Sequence, residues 1–144
     1  MYDYTFFHGH VLVRLIQDPR TRGVELYRGN NCYLVNKKSG IYLKHSAKRI
    51  SPWQFTFLPV HLTEIATIES EIKALFLVLV CNDNGICCLD YQETAQLILV
   101  GNMDQTKSIR VSRSTREKYA VSGSDGKLEH KIGNNDFPRK VLKV

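Results

Sequence analysis

Eight consecutive apolar residues, Ala74–Cys81 (ALFLVLVC), limit most sharply what this chain can fold into. The run is far shorter than the roughly 20 residues that a membrane helix needs. Its leucine, valine and phenylalanine content and its turn-rich exit read as a strand buried on both faces. Asn82-Asp83-Asn84-Gly85 turns it into a second apolar strand, Ile86–Leu89. Two such strands belong inside a sheet that other elements cover.

Those elements can be placed along the chain. Tyr4–Gln17 carries Phe7, Val11, Leu12 and Leu15 on a helical stripe that Asp18-Pro19 ends. Val24–Arg28, Cys32–Asn36 and Ile41–His45 are short strands separated by Gly29-Asn30-Asn31 and Lys37-Lys38-Ser39-Gly40, connections short enough for hairpins. Leu58-Pro59 opens a second helix running to about Lys73, with Leu62, Ile65, Ile68 and Ile72 on one face. Gln92–Val100 is a third. The tail contains a strand over Ser108–Arg113, ending near Ser112. A hairpin of Tyr119–Ser122 and Lys127–Ile132 follows, about Gly123-Ser124-Asp125-Gly126. The expected class is α/β, a mixed β-sheet flanked by helices, in the order α-β-β-β-α-β-β-α with a C-terminal β-hairpin extension. At 144 residues the chain is expected to be one domain, residues 1–144, with its core over about 4–100 and a basic appendage over about 107–144.

Charge is segregated along this order. Arg14–Arg49 holds nine Lys/Arg against Asp18 and Glu25, and Lys107–Val144 holds ten against four acids. Ile50–Thr106 between them holds Lys73 alone against seven acids. Two basic segments meeting on one face would carry the sign and extent of a nucleic-acid footprint. The densest cluster lies in Gly40–Phe57 (GIYLKHSAKRISPWQFTF), where Lys44, His45, Lys48 and Arg49 end a strand. Pro52 interrupts regular structure there. Trp53, Phe55 and Phe57 then alternate as a further short strand, with the tryptophan expected in the core.

Other patterns exclude more than they suggest. His8 and His10 are two apart on a helix and face different directions. Cys32, Cys81, Cys87 and Cys88 sit in apolar sequence, as buried reduced thiols do, and Cys81 and Cys87 are too widely spaced for a structural zinc site. No metal site is expected. Met1–Thr5 lacks the basic start of a signal peptide, so a cytoplasmic location without membrane contact is expected. The chain contains no G-x-S-x-G, P-loop or G-x-G-x-x-G motif.

The order helix, three meandering strands, helix, buried strand resembles the core of the PD-(D/E)XK nuclease superfamily, the restriction-endonuclease-like fold. Lys44, Ser46, Trp53, Phe55 and the strand Leu75–Cys81 follow one another as in that family, where a catalytic lysine ends the third strand. The resemblance covers residues 4–100 and implies the fold and DNA association. The family's chemistry needs two carboxylates for a hard divalent cation and a lysine to orient water. Here the position two before Lys44 is Tyr42, and no carboxylate lies over residues 30–33. The leading expectation is therefore a nucleic-acid-binding module with a catalytically degenerate core, needing no cofactor and partnered by DNA. Its contacts would be Arg28, Lys37, Lys38, Lys44, Lys48, Arg49, Arg110, Arg113, Arg116 and Lys118, the last three on a mobile loop. The enzyme alternative is a Mg²⁺- or Mn²⁺-dependent endonuclease using Lys44 and Glu25, with a second acid from the first helix or from Asp18. A third reading is a protein-interaction subunit of a defence or mobile-element system, with a homodimer or another protein as partner.

Overall fold

In the computed structural model, which describes residues 4–144, the apolar run forms strand β5 (Ala74–Cys81), and everything else is arranged around it. Asp3 and the other two residues at the start of the Met1–Thr5 segment lie outside the described residues. β5 pairs in parallel with β3 (Ser39–Ser46) over eight residues, from Ser39 opposite Ala74 to Ser46 opposite Cys81. β1 (Val24–Arg28) and β2 (Cys32–Val35) meander antiparallel onto the free side of β3, and β6 (Gly85–Asp90) folds back onto β5. The five-stranded sheet has the order β1-β2-β3-β5-β6. The fold is α/β with mixed sheets flanked by helices, in roughly the element order expected, with a C-terminal helix over Asp136–Leu142 added. The further short strand expected at Trp53, β4 (Trp53–Phe57), leaves this sheet and heads a second one, β4-β7-β8-β9, built with β7 (Lys107–Ser112), β8 (Ala120–Gly123) and β9 (Gly126–Lys127).

Alternation in β3 and β5 explains why both faces of the first sheet must be covered. Ile41, Leu43, Phe76, Val78 and Val80 point to one side, where α1 (Tyr4–Ile16) and α4 (Asp136–Leu142) pack through Phe7, Val11, Leu15, Phe137 and Val141. Tyr42, Leu75, Leu77, Leu79 and Cys81 point to the other. There they meet α2 (Pro59–Glu71), α3 (Tyr91–Ile98) and the inner face of the second sheet, Trp53, Phe55, Phe57, Ile109, Val111 and Val121. Trp53 is fully buried, and its indole Nε1 donates to the Lys48 carbonyl at 2.9 Å. The four cysteines are buried reduced thiols, and desolvation pushes Cys32 and Cys81 up to about 12. No described helix is long and apolar enough to cross a membrane.

The tail is locked to this core by two charged clusters. Lys107, counted in the sequence as part of the basic tail, is 4% exposed, with Nζ donating to Asp125 Oδ2 at 2.6 Å and to the Val100 carbonyl at 2.7 Å. On α3, Asp90 and Glu93 form a capping box, each side chain accepting from the other's backbone N–H. The Glu93 carboxylate also meets His130 Nε2 at 2.5 Å and Lys140 Nζ at 3.1 Å. The strand expected over Lys127–Ile132 stops at Lys127; beyond it the Leu128 N–H donates to the Val121 carbonyl at 3.1 Å and an isolated Tyr119–Ile132 bridge follows. Burial alone would raise the Glu93 pKa, but the hydrogen bonds from His130 and the Asp90 N–H, with the Lys140 ammonium, hold it below the usual carboxylate range.

Removing one partner of a buried ion pair strands the other. Asp125→Ala should therefore cost on the order of 3 kcal/mol in urea denaturation, and Lys107→Met in the same chain should recover much of it. A loss below 1 kcal/mol would show that Lys107 finds water. The lowered Glu93 pKa makes its contribution complete above the unfolded value near 4.5 and lost as pH falls through the folded value. Melting temperature should drop steeply below that pH, and Glu93→Gln should flatten the acid limb while lowering the neutral plateau.

Candidate nucleic-acid interface

Because β3 and β5 run parallel and in register, both chains leave the sheet at the same end. β3 continues into residues 47–52, carrying Lys48 and Arg49, and β5 into the Asn82–Asn84 turn. Trp53 pairs with Val111, so the end of β7 is carried to the same place and releases residues 113–118 there. Hydrogen bonds stitch the three exits together. The Asn82 N–H donates to the Ser46 carbonyl at 3.0 Å and its amide to the Ala47 carbonyl at 3.0 Å. The Arg113 N–H donates to Ser51 Oγ at 3.0 Å. The Arg113 guanidinium donates from Nε to Asn84 Oδ1 at 2.9 Å and from Nη2 to the Asn84 carbonyl at 3.0 Å, and lies 4.5 Å over the Tyr119 ring.

Between these exits lies an open cleft of about 430 Å³, lined by Ile50, Ser51, Trp53, Asn84, Arg113, Ser114, Thr115 and Arg116. Arg116 is held there in the left-handed region (φ 67°). A second depression of about 290 Å³ shares Ser51, Arg113 and Ser114 and adds Lys118 and Lys131. Lys48, Arg49, Arg113, Arg116 and Lys118 form no ion pair with any carboxylate among the described residues. Two acids stand on these loops: Asp83, exposed in the β5 exit turn, and Glu117, which lines the smaller depression and sits 3.8 Å from Lys131. The strand does end at Ser112, and Arg113 is tied to the neighbouring exits. Five polar and ring contacts fix it, leaving Arg116 and Lys118 as the exposed cations of that segment.

The remaining candidate residues lie elsewhere. Lys37 and Lys38 occupy the β2–β3 turn at the opposite end of the sheet. Arg28 donates twice to Glu71 at 2.9 Å, and Glu71 also accepts from the Tyr27 hydroxyl, so this cation already has a carboxylate. Arg110 stands exposed on the outer face of the second sheet. Lys44 lies half-buried between β4 and α2, its Nζ 5.1 Å over the Phe57 ring and without an ion pair among the described residues. Desolvation lowers its pKa.

Lys44 and Glu25 are not brought together. Glu25 is level with Leu34 and, through it, Gly40, four residues from Lys44 and about 13 Å away along the strand alone. Asp18 is occupied by Arg20 at 2.9 Å. The carboxylate on the Lys44 side is Glu64 of α2, which accepts from Tyr42 at 2.7 Å. No group of three or more His, Cys, Asp or Glu side chains poised for a metal occurs among the described residues. His8 and His10 diverge as helix geometry requires, His8 meeting the Tyr33 hydroxyl at 2.9 Å and His10 lining a shallow groove on the outside of α1.

Sequence reasoning did not find Ser51, Asn84, Thr115 or Tyr119 at the cleft. Asn84 belonged to a plain turn signal, and the others are ordinary residues whose meeting depends on β4 changing sheets. The chain matches no family model, no curated protein and no solved structure.

Proposed function

We propose that the protein binds nucleic acid, DNA in the first instance, through the cleft where the β3, β5 and β7 exits meet. The observation that carries this reading is the meeting of Arg113, Arg116 and Lys118 around two adjoining depressions at the end of the sheet, beside the loop over residues 47–52 that holds Lys48 and Arg49. Cations without carboxylate partners are compensated by water and counterions. A polyphosphate that displaces those counterions gains their release entropy. Hydroxyl groups and backbone N–H groups supply the positioning contacts that phosphate oxygens accept. The carboxyl end of adjacent parallel strands is also where open α/β sheets commonly place ligands. Arg113, held by Asn84 and Tyr119, orients this surface, while Arg116 and Lys118 are available to contact phosphate.

Fluorescence anisotropy with short labelled DNA, single-stranded and duplex, at two salt concentrations tests this directly. Tight, salt-sensitive binding is expected, and Arg116→Ala with Lys118→Ala should lower the log–log salt slope by about 1.8 for duplex DNA while leaving the melting temperature nearly unchanged. Binding to neither form at low salt would overturn the reading. Arg113→Ala is a different case: losing its hydrogen bonds should destabilise the fold by on the order of 1–2 kcal/mol.

The competing nuclease reading needs a metal site at Lys44. Plasmid incubated with the protein and Mn²⁺ should stay intact. Cleavage that Lys44→Ala abolishes would replace the binding reading with a catalytic one, with Glu64 as the first carboxylate to test.

A further inference from the structure

The second sheet has one face in the core and one in solvent, and the solvent face has a composition of its own. Its register aligns Gln54 with Arg110, Arg110 with Ser122, and Ser122 with Lys127. These four residues form one row across all four strands. Their neighbours Trp53, Phe55, Ile109, Val111, Val121 and Leu128 point inward, so strand alternation turns the row outward. Gln54, Arg110 and Lys127 are exposed. Arg110 and Lys127 are two strand spacings apart, about 10 Å. Neither forms an ion pair among the described residues. The strands of this face carry no acid, and Glu129 lies at its far rim beyond β9.

The row is continuous with the cleft. One step along β7 and β8 from Arg110 and Ser122 are Ser112 and Ala120, paired with each other, and both line the smaller depression that holds Lys118. A polyanion leaving the cleft past Lys118 meets at this depression Glu117, which faces Lys131, and then runs onto Arg110 and Lys127 without crossing an acidic strand.

We infer that the outer face of the second sheet is the other half of the nucleic-acid footprint, and that the ligand is a duplex held by its phosphates; this rests on the function proposed above. Strand-nonspecific binding of single strands draws on exposed aromatic rings that stack on bases. Neither the row nor the cleft exposes such a ring, because Trp53 and Tyr119 are fully buried. The exposed rings Tyr4 and Phe6 are on α1, across the first sheet. Hydroxyl, amide and cationic groups without aromatics match a backbone whose bases are already stacked within a helix.

Anisotropy titrations of a 16-base-pair duplex and of dT16, each over a salt series, test both parts with the full chain. The wild type should prefer the duplex, and Arg110→Ala with Lys127→Ala should lower its salt slope by about 1.8. Arg110→Lys with Lys127→Arg, which keeps both charges, should retain binding and guard against a folding artefact. Preference for dT16 overturns the duplex assignment. A slope unchanged by the double alanine variant, while Arg116→Ala with Lys118→Ala still weakens binding, overturns the sheet footprint and leaves the cleft standing. Wild-type binding to neither probe overturns the cleft and the footprint together.

Discussion

The parallel pairing of β3 and β5 is the constraint on which the rest of the molecule depends. A parallel connection cannot be a tight turn, so the chain between Ser46 and Ala74 must cross over the sheet. It does so with β4 and α2, and those two elements cover the face of the sheet that Tyr42, Leu77 and Leu79 leave apolar. Because β5 takes the place beside β3, β4 has no partner in the first sheet and recruits the tail as one. The cleft is a consequence of this geometry. Its walls are the places where three strands stop, held together by Ser51, Asn82 and Asn84.

Much of this was legible in the sequence because it is periodic. The α1 stripe of Phe7, Val11 and Leu15 is buried as the 3.6-residue pattern requires, and Trp53, Phe55 and Phe57 are buried as alternation requires. What alternation does not encode is which strand pairs with which. The Trp53–Phe57 run reads equally well as an edge of the first sheet or as the start of a second, and only its pairing with β7 decides. The α4 helix escaped for another reason. It has seven residues with Phe137 in a non-helical conformation, so no full helical period is present to detect. β9 is shorter than its pattern suggests: Leu128 and Ile132 do point inward, but the pairing shifts between Ser122–Lys127 and Tyr119–Ile132.

The site was legible in kind and not in membership. Counting cations by segment identified two basic regions, but the fold sorts individual cations by their partners. Lys107, Lys140 and Arg28 are spent on Asp125, Glu93 and Glu71. Arg14 is spent on the Phe137 and Asn134 carbonyls and the Phe137 ring. None of these partners is close in sequence, so linear charge could not separate structural cations from available ones. Of those without a carboxylate partner among the described residues, Lys48, Arg49, Arg116 and Lys118 lie on the loops at one end of the sheet and Arg110 and Lys127 on the second sheet, whereas Lys37 and Lys38 lie at the opposite end.

Lys44 is a different kind of cation. Its position at the end of β3 made it the first candidate in the sequence, yet its side chain turns toward α2 and away from the cleft, over the Phe57 ring. Burying an ammonium without a carboxylate costs free energy, which is why its pKa falls. The ring face offsets part of that cost through its quadrupole. His61, fixed on α2 by accepting the Leu58 N–H at 3.0 Å, adds an unfavourable interaction, and its own pKa is lowered by burial and then by Lys44. The region therefore disfavours a second positive charge while keeping one, with Glu64 engaged by Tyr42 beside it. A divalent cation there would have to displace the Tyr42 hydrogen bond to Glu64 and face the Lys44 ammonium.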